Sequence, residues 1–124
     1  MNIIISNSAS VPIYEQICRQ IKTAVVKGDL APGDLLPSIR SLARELHISV
    51  ITTKRAYEEL ERDGFITTVG GKGSFVSLQN TELLREKKMQ LIEVKLSQAV
   101  ADSKQMDISL ETLHEMLDLL YKED

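Results

Sequence analysis

Between Leu36 and Val76 the chain reads LPSIRSLARELHISVITTKRAYEELERDGFITTVGGKGSFV, and the pattern of its apolar residues changes twice within that stretch. Ile39, Leu42, Ala43 and Leu46 recur at helical spacing, and Ser38 stands where it can cap that helix just after the helix-resistant Pro37. His47, Ile48 and Ser49 interrupt the pattern. Ser49 is placed to accept a hydrogen bond from the free amides in the first turn of a second helix, which carries Thr53, Ala56, Tyr57 and Leu60 on its inward side. That helix shows Thr52, Lys54 and Arg55 outward and stops at Asp63-Gly64. Beyond it, residues 65–69 and 74–77 are rich in β-branched and aromatic types, with the glycine-rich residues 70–73 between them as the turn of a hairpin.

Two short helices across a tight turn form a helix-turn-helix arrangement, in which the first residues of the second helix meet base edges in the major groove. Here those residues are Ser49, Val50, Ile51, Thr52, Thr53 and Lys54. The hairpin is then a wing: Lys72 between Gly71 and Gly73 can bring a charge and bare backbone amides close to a phosphate. The expected fold is mainly α with a small β-hairpin, a winged helix-turn-helix domain over residues 1–78 followed by a helical dimerisation tail over residues 79–124.

The order L-P-S-x-R-x-L-A, S-x-x-T, A-Y-x-x-L-E, D-G-F-I, G-x-G-x-F-V resembles the winged-helix domain of the GntR family of bacterial transcription regulators, over residues 13–76. The connection through Gly28, Leu30, Pro32, Gly33, Leu36, Pro37 and Ser38 is similar to that family's as well. The resemblance implies that Arg40, with Ser38 beside it, touches DNA. The short two-helix tail is similar to the YtrA-type branch, which implies control of the protein's own operon, often with transporter genes. One departure concerns base readout. Many family members carry charged or amide side chains at the two positions after the capping serine, whereas this chain has Val50 and Ile51. Contact with thymine methyl groups then replaces arginine-to-guanine or asparagine-to-adenine pairing, and an AT-containing operator is expected.

Net charge is −3 over 124 residues, which suits a DNA binder poorly until the chain is divided. Residues 1–77 hold nine Lys and Arg against eight Asp and Glu, and residues 78–124 hold six against ten, so the acidic excess belongs to the tail. Within the reading head lie Arg40, Arg44, Lys54, Arg55 and Lys72, with only Glu45 as an acid between positions 36 and 57. A phosphate backbone meets that local field rather than the total.

Upstream, Ile3, Ile4 and Ile5 are expected to lie as an extra strand against the wing, and Pro12 fits the first turn of a helix carrying Ile13, Ile17, Ile21, Ala24 and Val25 up to Gly28. Cys18, the only cysteine, reads as a small buried hydrophobe rather than a redox sensor. In the tail, Asn80 or Thr81 is expected to cap a long helix with an apolar stripe of Leu84, Leu91, Ile92, Leu96 and Ala99. Residues 102–107 break the pattern, and a helix capped by Ser109 follows with Leu110, Leu113, Leu117, Leu120 and Tyr121. Two such helices give each other too little apolar cover, so the tail is expected to pair with a second copy of itself.

A content of 43% hydrophobic residues with mixed charge marks a globular chain, and neither a membrane-length apolar run nor a secretory leader pattern is present, so a cytoplasmic location is expected. His47 and His114 stand alone, without ligand-spaced neighbours, so no metal and no cofactor is expected. No nucleophile elbow, phosphate-binding loop or dinucleotide fingerprint occurs, so catalysis is not expected. The expected partners are a double-stranded DNA operator and a second copy of the chain. A small-molecule effector is a further partner that small pockets between tail and winged domain could hold, and no polar constellation identifies its ligand. The rival reading is a winged-helix protein-interaction module whose Val50-Ile51 tip docks a protein instead of DNA.

Overall fold

The computed structural model describes residues 1–8, 10–78 and 81–123. Its elements run α1 (Ile13–Lys27), α2 (Ile39–Leu46), α3 (Val50–Arg62), β1 (Ile66–Val69), β2 (Gly73–Val76), α4 (Thr81–Gln105) and α5 (Leu110–Lys122). They fall into two compact units, Met1–Leu84 and Arg85–Asp124. The seam lies inside α4, a few residues beyond the expected boundary at 78, because the helix begins before the first unit ends.

In the first unit α3 packs on both α1 and α2. The core comes from the apolar faces read above: Ile17, Ile21 and Val25 of α1, Leu42 and Ala43 of α2, and Ala56, Tyr57 and Leu60 of α3 are all buried. Phe65, Ile66 and Val76 close it from the hairpin side, and Leu36 from the connection. Pro12 sits one place earlier than expected, as the N-cap of α1, where its carbonyl accepts from the amides of Glu15 and Gln16. Cys18 is 3% exposed and its Sγ donates to the carbonyl of Ala56 at 3.3 Å, the position of a core residue. Burial, with Glu59's charge as a second contribution, pushes its thiol up to about 11.

The strand that joins the wing is not the N-terminal one. β1 and β2 pair antiparallel with Ile66 opposite Val76 and Val69 opposite Gly73, and the third edge is the connection before α2. Leu36 N donates to Ser74 O at 2.9 Å, Val76 N to Asp34 O at 2.8 Å, and Leu35 bridges Phe75. Residues 3–6 lie along α1 instead. The Gln20 amide both accepts from Ile4 N and donates to Ile4 O, and Gln16 does the same for Ser6, so two helix side chains take the place of a neighbouring strand. The three consecutive isoleucines signal an extended segment, but the partner was set by two glutamines one helical turn apart.

In the second unit α4 continues through residues 102–105, where an interruption was expected, and Ser103 is buried with its Oγ donating to Ala99 O at 2.6 Å. The break comes at Asp107, with φ 57°, and Ile108 N donates back to Ser103 O. Ser109 caps α5 as expected, accepting from Thr112 N at 3.1 Å. The cap expected at Asn80 or Thr81 lies outside the described residues and side chains. At about 100° per residue Leu84, Leu91, Ile92, Leu96 and Ala99 fall within one arc of α4, about 140° wide, and Leu83, Met89, Val94 and Val100 lie outside it. No residue of α5 is buried.

Candidate nucleic-acid interface

The helix-turn-helix is built by two serine caps and one left-handed residue. Ser38 Oγ accepts from Ser41 N at 3.1 Å to start α2, and Ser49 Oγ accepts from Thr52 N at 3.1 Å to start α3. Between them His47 takes φ 56° and its amide donates to the carbonyls of Ala43 and Arg44, closing α2 in the way a glycine usually does. Tyr57 then fixes how the two helices cross. Its hydroxyl donates 2.7 Å to the carbonyl of Pro37, tying the middle of α3 to the start of α2, and burial pushes the phenol up to about 12. Tyr57 is therefore core, as its place on the apolar face implied.

Along α3 the N-terminal residues divide. Ile51 is 81% exposed, and Val50 and Lys54 are also exposed. Thr52 is half-buried, its hydroxyl paired with Ser49 Oγ at 2.8 Å. Thr53 corrects the expected contact set: it is fully buried, and its Oγ1 donates to Ser49 O at 3.1 Å. A threonine at that point of the helix faces the core, so it holds up the turn and has no surface to offer a base. Ser49 stays exposed but its Oγ serves first as a cap.

Arg40 and Arg44, one turn apart on α2, are exposed, as is Lys72 at the wing tip. Among the described residues the side chains of Arg40, Arg44, Lys54 and Lys72 form no hydrogen bond or ion pair, whereas Arg19 and Lys22 outside the reading head are paired with Glu15 and Asp63. Unneutralised cations beside an exposed helix N-terminus are what a polyanion requires. At the wing tip Lys72 N donates to Val69 O, Gly71 takes φ 77°, and Gly73 takes φ 112° with Leu35 so close that an added Cβ would meet its Cδ1 at 3.1 Å. Sequence reasoning did not single out Tyr14, over whose ring the guanidinium of Arg55 lies 3.8 Å from the centroid. An aromatic in the first turn of α1 reads as core from spacing alone, and only the packing of α1 on α3 brings it under Arg55.

Among the described residues no group of His, Cys, Asp and Glu could hold a metal ion, and no helix is long and apolar enough to cross a membrane.

The family described as bacterial regulatory proteins, gntR family, matches residues 13–76, the span from α1 through the wing. The HTH-type transcriptional repressor YtrA of Bacillus subtilis is 42% identical over 88% of this chain and 84% of its own length. A crystal structure of a transcriptional regulator from Oenococcus oeni is similar with a TM-score of 0.78 at 28% identity, covering 94% of this chain and 97% of that one. The N-terminal domain of AraR, in a crystal structure with the mutant operator ORR3, is similar with a TM-score of 0.51 at 27% identity over 54% of this chain and 96% of that one. These relatives are regulators and not enzymes. With its capped helix pair, glycine wing and matching span, this chain belongs to the gntR family of bacterial regulatory proteins, as a DNA-binding transcription regulator of the winged-helix type.

Proposed function

We propose that the protein is a cytoplasmic, homodimeric repressor that binds a two-fold symmetric operator, with Val50, Ile51, Thr52 and Lys54 in the major groove and Ser38, Arg40 and Lys72 on phosphates. The observation that carries this reading is the exposed start of α3: Val50 and Ile51 are uncovered at 47% and 81%, beside cations that no carboxylate neutralises among the described residues. Ser49 shapes that tip through its cap, and Gly71 and Gly73 let the wing backbone approach the sugar–phosphate surface. Two apolar side chains at the tip favour thymine methyls, hence an AT-containing half-site.

The dimer is supported by the tail. Leu117 and Leu120 are 52% and 70% exposed, Ile92 and Leu96 of α4 are similarly open, and Leu84, Leu91 and Leu113 are half-buried. Fully burying an exposed leucine contributes about 1.5–3 kcal/mol, so covering one that is half exposed contributes about half of that, and a second copy of the tail offers matching faces to each. Resemblance to repressors of this size supports autoregulation, with transporter genes as the proposed co-regulated set.

Protection of the gene's own upstream region by the purified protein tests the reading, with an Arg40→Ala, Lys72→Ala double variant beside it. A two-fold symmetric footprint that the variant loses is expected. The exposed Val50-Ile51 tip also fits the rival reading, a protein-docking module. A DNA binder loses affinity with salt at a log–log slope of about −0.9 per phosphate neutralised, and absence of binding to any upstream DNA at low salt would favour the rival.

A further inference from the structure

Arg55 has three choices on the surface it occupies. Glu58 and Glu59 lie one turn further along α3, within ordinary reach for an ion pair on a helix, and Tyr14 lies across the α1–α3 contact. The guanidinium takes the ring, at 3.8 Å from its centroid, and among the described residues it forms neither a hydrogen bond nor an ion pair. Glu15, next to Tyr14, is already held by Arg19 at 2.9 Å. Stacking uses the flat face of the guanidinium and leaves its N–H donors, which point outward in the plane, uncommitted. A planar fork of donors fixed in orientation matches the oxygens of a phosphate.

The position on α3 suits that partner. Arg55 is four residues from Ile51 and Lys54 is three, so the two cations flank the exposed Ile51 from one turn behind it. The Tyr14 stack holds Arg55 on the α1 side, and Lys54 lies about 100° away around the helix. When the start of a helix enters a major groove about 12 Å wide, side chains one turn back stand level with the groove walls, where the phosphates run.

We propose that Tyr14 and Arg55 form a phosphate clamp, with Arg55 gripping the backbone on the α1 side of the groove and Tyr14 as the positioning residue that keeps it from folding onto Glu59. The inference rests on the DNA-binding reading above and adds a phosphate contact from α3 that is held in place from α1, outside the helix-turn-helix.

The test is the salt dependence of binding to a labelled random-sequence duplex by fluorescence anisotropy, with thermal melting of each variant. The wild type is expected to give a linear log–log plot. Arg55→Gln reduces its slope by about 0.9 per protomer. Tyr14→Phe, which keeps the ring, leaves the slope as it was, and Tyr14→Leu lowers it as Arg55→Gln does although the charge remains. A purely structural stack would lower Tm and leave the slope untouched. Lys72→Ala separates the two levels of inference. If it lowers the slope and Arg55→Gln does not, the clamp is overturned and the DNA reading stands. If Arg55→Gln lowers the slope and Tyr14→Leu does not, Tyr14 has no positioning role. If the wild type shows no salt-linked binding, the DNA reading falls and the clamp with it.

Discussion

Two buried protons are stored in the core that carries α3. Cys18 is raised by burial from 9.0 to about 11 and Tyr57 from 10.0 to about 12, so folding favours the neutral form of both. A group raised on folding adds stability below its unfolded value and loses that contribution as pH climbs through its folded value. Alkaline denaturation is therefore expected to set in above pH 9 and to continue to about pH 12. Denaturant melts across that range should show Cys18→Ala flattening the lower part and Tyr57→Phe the upper. At neutral pH, Tyr57→Phe leaves the Pro37 carbonyl without its 2.7 Å donor. The expected cost is about 1–3 kcal/mol, read from urea unfolding. His47 was read as part of a polar break, and spacing could not reveal that it adopts φ 56°. A β-branched residue there, His47→Val, should destabilise by about 1–2 kcal/mol, while His47→Gly should not. The burial of Thr53 was similarly half-legible. Its place on the inward face stood in the residue pattern, yet its position at the start of α3 suggested a base contact that a side chain with no exposed surface cannot make.

At the scale of the elements, α2, α3, the wing and α5 follow from local chemistry, because each has a serine cap, a glycine or a β-branched run that decides its limits within a few residues. Ser49 caps α3 through a single 3.1 Å bond, so Ser49→Ala should cost about 1 kcal/mol and loosen the start of the helix that bears Val50 and Ile51. Amide exchange at Val50, Ile51 and Thr52 would report that loosening directly. The wing depends on its glycines in a different way. Gly73 combines φ 112° with a neighbour at 3.1 Å from the Cβ it lacks. Gly73→Val should therefore distort the hairpin and weaken DNA binding even with Lys72 present, as an anisotropy titration beside Lys72→Ala would show. The place of residues 3–6 was not local in this sense. Extended isoleucines can pair with any free edge, and the side chains of Gln16 and Gln20 reached them while the wing edge was taken by Asp34 and Leu36.

At the scale of the molecule the acidic tail and the cationic reading head are separate in sequence and fall in separate compact units, so the net charge of −3 describes neither. The tail's apolar residues lie mostly at the surface of the chain. Leu117→Asp with Leu120→Asp is expected to convert a dimer to a monomer at micromolar concentration by light scattering, and to lower the thermal stability of the wild type's tail without unfolding Met1–Leu84. Since a dimer gains stability by mass action, the wild-type Tm should rise with protein concentration and that of the variant should not. The sequence by itself determined the helix pair, its caps, the wing and the family, because those rest on contacts between residues close in the chain and on backbone positions that few residue types can fill. Only the tertiary structure decided that Thr53 keeps no surface for a base, that Asp34 and Leu36 supply the wing's third edge, and that Arg55 lies on Tyr14. Each of those depends on which surfaces remain free once α1, α2 and α3 have packed, and competition among surfaces far apart in the chain leaves no mark in the local pattern.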